Sequence, residues 1–183
     1  RSRAAVIYDV GNAAYSESWL HDFRQTFEAL GGRLVLTRAF RSSNEAVFLE
    51  MVSELLAPQP DLVVIITNAV DAALICQQVR KLDAQVSIVM AEWASTERFV
   101  ELAGAAADGV MVAQFLDRND TSQGYRDFVA AYRARFGQEP GFAGLAGYDA
   151  ARVVLKGLEL RQRGQSLKQA IIAQKAFQGV QQI

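Results

Sequence analysis

The chain has 183 residues, a formal net charge of −1 and an apolar or aromatic fraction of 51%, enough for one ordinary domain or one and a half small ones with a sizeable core. Acids and bases are interspersed, so no basic face is offered to phosphate, which argues against nucleic acid or a polybasic membrane-surface mode of binding. One cysteine, Cys76, excludes an intrachain disulfide, and no apolar run approaches the roughly 20 residues that span a bilayer.

The chain opens abruptly, entering an apolar strand straight after Arg1-Ser2-Arg3. This reads as a piece of a longer chain, with any leader out of view. Ala4 to Tyr8, ending at Asp9, has the continuous apolar character of a buried parallel strand. Trp19, Phe23, Phe27 and Leu30 then recur at helical spacing, and Gly31-Gly32 ends that helix. Leu34 to Leu36 is a second strand, and Ser43 or Asn44 is an expected N-cap for a helix carrying Val47, Phe48, Met51, Val52 and Leu55. Pro58 and Pro60 break it. Leu62 to Ile66 is the clearest buried strand, and Asp71 falls in the first turn of the helix after it. Val86 to Met90 is a fourth strand, Thr96 to Ala103 a short helix, and Gly109 to Val112 a fifth strand. Such β/α alternation implies right-handed crossovers and a parallel sheet with helices on both faces.

After Val112 the pattern changes. A polar connector, Asp117 to Asp120, leads to three helices without strands: Tyr125 to Phe136, Ala143 to Arg161 and Ser166 to Lys175. They either cover the sheet already described or belong with a second sheet.

In an open parallel sheet, ligands bind beyond the carboxyl ends of the strands, where loops converge and helix N-termini present free N–H groups. The candidate set is Asp9, Asn12, Ala14, Tyr15 and Ser16 after strand one, Thr67, Asn68 and Ala69 after strand three, Glu92 and Trp93 after strand four, and Gln114 and Phe115 after strand five. An acid, hydrogen-bonding groups and aromatics suit an organic ligand with an amine or hydroxyl and an apolar part. These ends carry no Lys or Arg, which disfavours phosphate. Asp9 itself reads as a loop-capping acid.

Enzyme readings find little support. The loop after strand one, Val10 to Ala14, has a single glycine rather than a dinucleotide fingerprint. There is neither a phosphate-cradling loop nor a Gly-x-Ser-x-Gly elbow. His21 lies inside the first helix as a surface or packing residue, and Cys76 sits mid-helix among apolar neighbours as a buried thiol. A phospho-acceptor receiver would need Asp and Lys where Thr67-Asn68 and Ala113-Gln114 stand. No metal, cofactor or catalysis is expected.

Five stretches together resemble one family. They are the first strand with Asp9, Tyr15 and Ala29-Leu30-Gly31-Gly32; Pro60-Asp61-Leu62-Val63-Val64; Leu102 to Val110; Phe128 to Pro140; and Gly147-Tyr148-Asp149-Ala150-Ala151-Arg152. In order and spacing they resemble the type I periplasmic solute-binding proteins, specifically the branched-chain amino-acid receptors of ABC transporters.

The resemblance implies two lobes joined by three crossovers, closing like a flytrap on a small ligand, with the closed form docking on a permease outside the cytoplasm. Residues 1–113 are then the C-terminal lobe, 114–120 the hinge, and 121–183 a helical segment returning to the N-terminal lobe. It implies that Glu92 pairs with the ligand's α-ammonium, as a charge-assisted bond in a dry cleft would, and that Tyr15 is an aromatic lid contact. The strand-end placement adds Ser16, Thr67, Asn68 and Trp93 as further expected contacts. Ala69 stands where some relatives carry Tyr, and Phe142 approaches from the returning segment. The loop from Asp9 to Tyr15 is about two residues longer than in the best-known amino-acid receptors, so the ligand is a branched-chain amino acid or an aromatic or aliphatic acid or amide. Apolar surface on the returning helices is expected to favour dimerisation of the fragment. The alternative is a ligand-sensing domain of the same fold in a transcriptional regulator or membrane receptor.

Overall fold

The computed structural model describes residues 2–43, 47–114 and 116–181. The chain divides into two compact units, Arg1–Gln114 and Phe115–Ile183.

The first unit is built on β1 (Arg3–Asp9), β2 (Arg33–Phe40), β3 (Leu62–Ile66), β4 (Ser87–Met90) and β5 (Met111–Val112). All pair in parallel, in the order β2-β1-β3-β4-β5. Every residue of β3 is buried. Neighbours on both sides and helices above and below leave no polar face, so this strand is a continuous apolar run. Each fully buried Val or Ile here contributes roughly 1.5–3 kcal/mol.

Helix α1 (Ala13–Ala29) covers one face of the sheet, and α2 (Phe48–Leu56), α3 (Ala69–Leu82) and α4 (Glu97–Ala103) pack on the other. The α1 seam is an aromatic ladder. Tyr15, Trp19, Phe23 and Phe27 follow at steps of four, which aligns them on one helix face, and they pack on Ala4, Val6, Val64 and Ile66. Trp19 stacks on Phe23 and Phe23 on Phe27, at 5.7 and 5.1 Å between ring centroids.

The glycine pair closing α1 has two physical causes. Gly31 adopts φ +86°, and Gly31 N–H donates to Glu28 while Gly32 N–H donates to Phe27, the paired bonds of a left-handed helix stop. Gly32 lies against the Phe27 ring, where a Cβ would come within 2.4 Å.

The expected α/β class and strand count hold, while several boundaries differ. β2 continues past Leu36 to Phe40. It is an edge strand, so exposed Thr37 and half-buried Arg38 are tolerated and break the apolar run. β2 pairs with β1 through a register shift between Ala4 and Ala5. β5 has only Met111–Val112, because Gly109 turns at φ +72° and Val110 N–H bonds back to Ala107. The N-cap position of α2 is Val47, without a side-chain cap. Ser43 lies upstream of it, and Asn44, the other expected cap, falls outside the described residues, as does Phe115.

The second unit holds α5 (Gln123–Phe136), α6 (Phe142–Leu160) and α7 (Leu167–Ile172). α7 is shorter than the expected Ser166 to Lys175; Ser166 starts it with a reciprocal capping box to Gln169. Leu116, Tyr125, Phe128, Leu145 and Val180 form a small core. Asp149 accepts from Val180 N–H, and the Gln181 amide pairs with the Asp117 backbone. Phe136, Leu155 and Ile172 are 58%, 64% and 69% exposed.

Candidate functional site

With β2 on one side of β1 and β3 on the other, the direction of winding reverses between β1 and β3. The carboxyl ends flanking that point form the crevice where open α/β sheets hold ligands. Two groups of side chains gather along this edge.

The first joins α1 to the loop after β4. Glu92 begins a short 3-10 turn directly after Ala91, and both its oxygens are engaged. Tyr15 Oη donates to Oε1 at 2.5 Å, and Trp19 Nε1 donates to Oε2 at 3.1 Å. The donors sit one helical turn apart on α1, so a single helix face grips the carboxylate. Trp93 packs against Tyr15 edge to face, with centroids 5.5 Å apart and planes at 77°. All four side chains are half-buried. Burial, then the hydrogen bond and charge of Glu92, push the Tyr15 phenol well above its ordinary range, while the Trp93 backbone N–H acts in the opposite sense.

The second group ties β1, β2 and β3 together. Asp9 is buried and accepts from Gly11 N–H at 2.7 Å and Ser42 N–H at 3.0 Å, the loop-capping role expected of it. The Ser16 hydroxyl, fully buried, donates to the Asp9 carbonyl at 2.6 Å. Asn68 caps α3, accepting from Val70 and Asp71 N–H, and its amide donates to Ser42 Oγ at 3.2 Å and Asp71 Oδ2 at 2.8 Å. Thr67 beside it is fully buried, and its hydroxyl has no hydrogen-bond partner among the described residues. Ala69 is the first residue of α3 and half-buried.

Seven of the eight sequence-derived site residues therefore lie on this one edge. Phe142, the eighth, starts α6 in the second unit and is 42% exposed. Gln114, after β5, donates to Ser95 Oγ at 2.9 Å.

The sequence reading missed Trp19, Ser42 and Arg41. Trp19 stood there only as a core-facing residue, although its spacing of four from Tyr15 placed it on the same face. The loop after β2 was left out of the set of strand ends. It carries exposed Arg41 beside Ser42, so a cation does follow one strand end. Cys76 is buried in α3, and burial pushes its thiol up to about 12, which keeps it protonated and unreactive.

An open parallel sheet with a half-buried carboxylate and aromatics at its strand ends has the arrangement that α/β domains use to hold organic ligands. The periplasmic binding protein family matches residues 1–181, and the chain belongs to it. Among solved structures, it is similar to a leucine-binding protein of Thermotoga maritima, with 28% identity and a TM-score of 0.81 over 94% of this chain and 48% of that one. The fold also matches a branched-chain amino-acid transporter substrate-binding protein of Streptococcus pneumoniae in complex with isoleucine, at 22% identity and TM-score 0.82, covering 97% and 50% of the two chains. A solute-binding protein of Rhodopseudomonas palustris in complex with benzoate matches at 17% identity and TM-score 0.76, over 93% and 46%. The chain thus spans about half the length of these structures. No curated protein matches it. Among the described residues, no helix is long and apolar enough to cross a membrane.

Proposed function

We propose that the chain is part of the solute-binding component of an ABC transporter, acting outside the cytoplasm. Residues 1–113 form the C-terminal lobe, 114–120 the hinge, and 121–183 belong with the N-terminal lobe. The ligand is a branched-chain amino acid or a related small organic acid or amide, and ligand-driven closure presents the protein to its permease.

One observation carries this reading. Glu92 is a half-buried carboxylate at the ligand edge whose partners, Tyr15 and Trp19, are both neutral. Among the described residues it forms no ion pair. An anion held in place without a counter-cation suits the ammonium of an incoming ligand. Tyr15 and Trp93 flank that end, and Ser16, Thr67, Asn68 and Ala69 shape the crevice between β1 and β3. Phe142 as a ligand contact rests on the family resemblance alone.

The test is a thermal-shift series on the full-length protein with leucine, isoleucine, valine, their amides and benzoate, for wild type and Glu92→Gln. An amino acid is expected to raise the wild-type melting temperature. In the variant its affinity falls roughly 10- to 100-fold, the value of a hydrogen bond to a charged group. Stabilisation only by compounds without an amine, identical in both proteins, would overturn the site assignment.

A further inference from the structure

Glu92 has a held backbone and a long side chain. Ala91 N–H continues the ladder to the Ile65 carbonyl at 3.0 Å, and the Glu92 carbonyl accepts from Ser95 N–H at 2.9 Å. Beyond Cα, freezing a glutamate is among the larger entropy costs a side chain carries. A carboxylate left to rotate meets that cost at each binding event, whereas one fixed during folding does not.

Two donors fix this carboxylate, and they differ in kind. The Tyr15 hydroxyl proton swings about its C–O bond to suit the nearest acceptor. The Trp19 N–H lies in the plane of its ring and points only where the ring points. That ring is set by packing. It stacks on Phe23 with centroids 5.7 Å apart and planes at 22°, and Phe23 stacks on Phe27 at 5.1 Å and 16°. Phe27 lies against Gly32, which has no Cβ to displace it. The same ladder packs on Ala4, Val6, Val64 and Ile66 of β1 and β3. The direction of the indole N–H is therefore set by the sheet, and at 3.1 Å it holds Oε2. With Tyr15 on Oε1, each oxygen keeps about one lone-pair position, so both oxygens can still accept from an ammonium.

We infer that Trp19 is the positioning residue of the ammonium anchor. It acts on the ligand through Glu92, by presetting the carboxylate, and so sets the preference for an amine-bearing ligand over the same skeleton without an amine. The inference rests on Glu92 as the cation anchor and adds the residue that aims it.

The test is calorimetric binding to the full-length protein of leucine, isoleucine and valine, each beside its deaminated counterpart, the carboxylic acid of the same carbon skeleton. Wild type, Trp19→Phe, Glu92→Gln and the double variant are compared, and melting curves confirm that each folds. In Trp19→Phe the affinity for the amino acids is expected to fall about fivefold, while that for the deaminated acids holds. A purely structural role would weaken both members of each pair alike. In the Glu92→Gln background the same substitution should change amino-acid affinity by less than about twofold, because the two residues act as one unit. No loss in Trp19→Phe, equal losses within each pair, or an undiminished effect in the Glu92→Gln background overturns the inference. The anchor reading then survives if Glu92→Gln alone still weakens the amino acids. Deaminated acids bound as tightly as the amino acids with Glu92→Gln silent, or no amino acid bound at all, overturns both.

Discussion

Tyr15 and Glu92, 77 positions apart in the chain, meet in a 2.5 Å hydrogen bond across the carboxyl edge of the sheet. The bond spans from the helix after β1 to the turn after β4, with β3 between those strands. It couples the proton on Tyr15 to the charge on Glu92, and the consequence is measurable in alkali.

The Tyr15 phenol is held protonated above its ordinary value of 10.0, chiefly by burial and then by Glu92. The folded protein therefore keeps a proton that the unfolded chain releases above about pH 10. This stabilisation is fully present below that pH and is lost as pH rises toward the folded value. In melting curves taken from about pH 9 to about pH 11, Tyr15→Phe should lose less stability than wild type. Some loss remains, because burial raises the Tyr125 phenol as well. Identical pH slopes in the two proteins would sink the assignment.

Trp19→Phe separates packing from hydrogen bonding. Phenylalanine keeps a ring on Phe23 and removes the indole N–H from Glu92 Oε2. The cost to stability should stay within about 1.5 kcal/mol. Affinity for an amine ligand should fall several-fold, because the carboxylate loses one of its two restraints. Trp19→Ala should destabilise more, by roughly 2–3 kcal/mol, since it opens the aromatic ladder. Chemical denaturation and calorimetry read the two effects independently.

Asn68→Ala removes the cap of α3 and the amide bridge to Ser42 and Asp71 in one step. A loss of about 1–2 kcal/mol is expected in urea unfolding. Asn68→Asp keeps an oxygen for the Val70 and Asp71 N–H groups but places a second carboxylate against Asp71. It should recover part of the stability at acid pH and less at neutral pH. Full recovery at neutral pH would mean that the bridge to Asp71 contributes nothing.

Cys76 supplies a check on local opening. With its thiol buried and raised to about 12, it should react with a thiol reagent orders of magnitude more slowly than a free cysteine, and at the full rate after denaturation. Rapid labelling of the folded protein would show that α3 detaches from the sheet readily.

Much of the fold was legible because the signals are local. β3 is read as Leu62 to Ile66 and has those bounds in the structure, since burial on both faces leaves an uninterrupted apolar run. β2 was harder. As an edge strand it carries the polar pair Thr37 and Arg38, exposed and half-buried, after its apolar residues, and its last four residues resemble a loop. β5 was overestimated because the apolar character of Val110 is independent of the turn that Gly109 imposes. The start of α2 was misplaced because Ser43 is a good cap by type, while the helix begins five residues later without one.

The site divides in the same way. Strand ends and a parallel sheet locate the candidate edge from sequence alone, and Glu92, Tyr15, Thr67 and Asn68 fall on it for that reason. Their partners do not follow from sequence. That Trp19 completes the hold on Glu92, and that Ser42 joins Asp9 to Asn68, depends on which strands lie side by side. Periodicity along the chain determined the class of fold and the candidate edge at the strand ends, because both arise from residues within a few positions of one another. Strand order and helix docking decided the pairing of side chains, because those contacts join residues 26 to 77 positions apart, and nothing local in the chain encodes which of them meet.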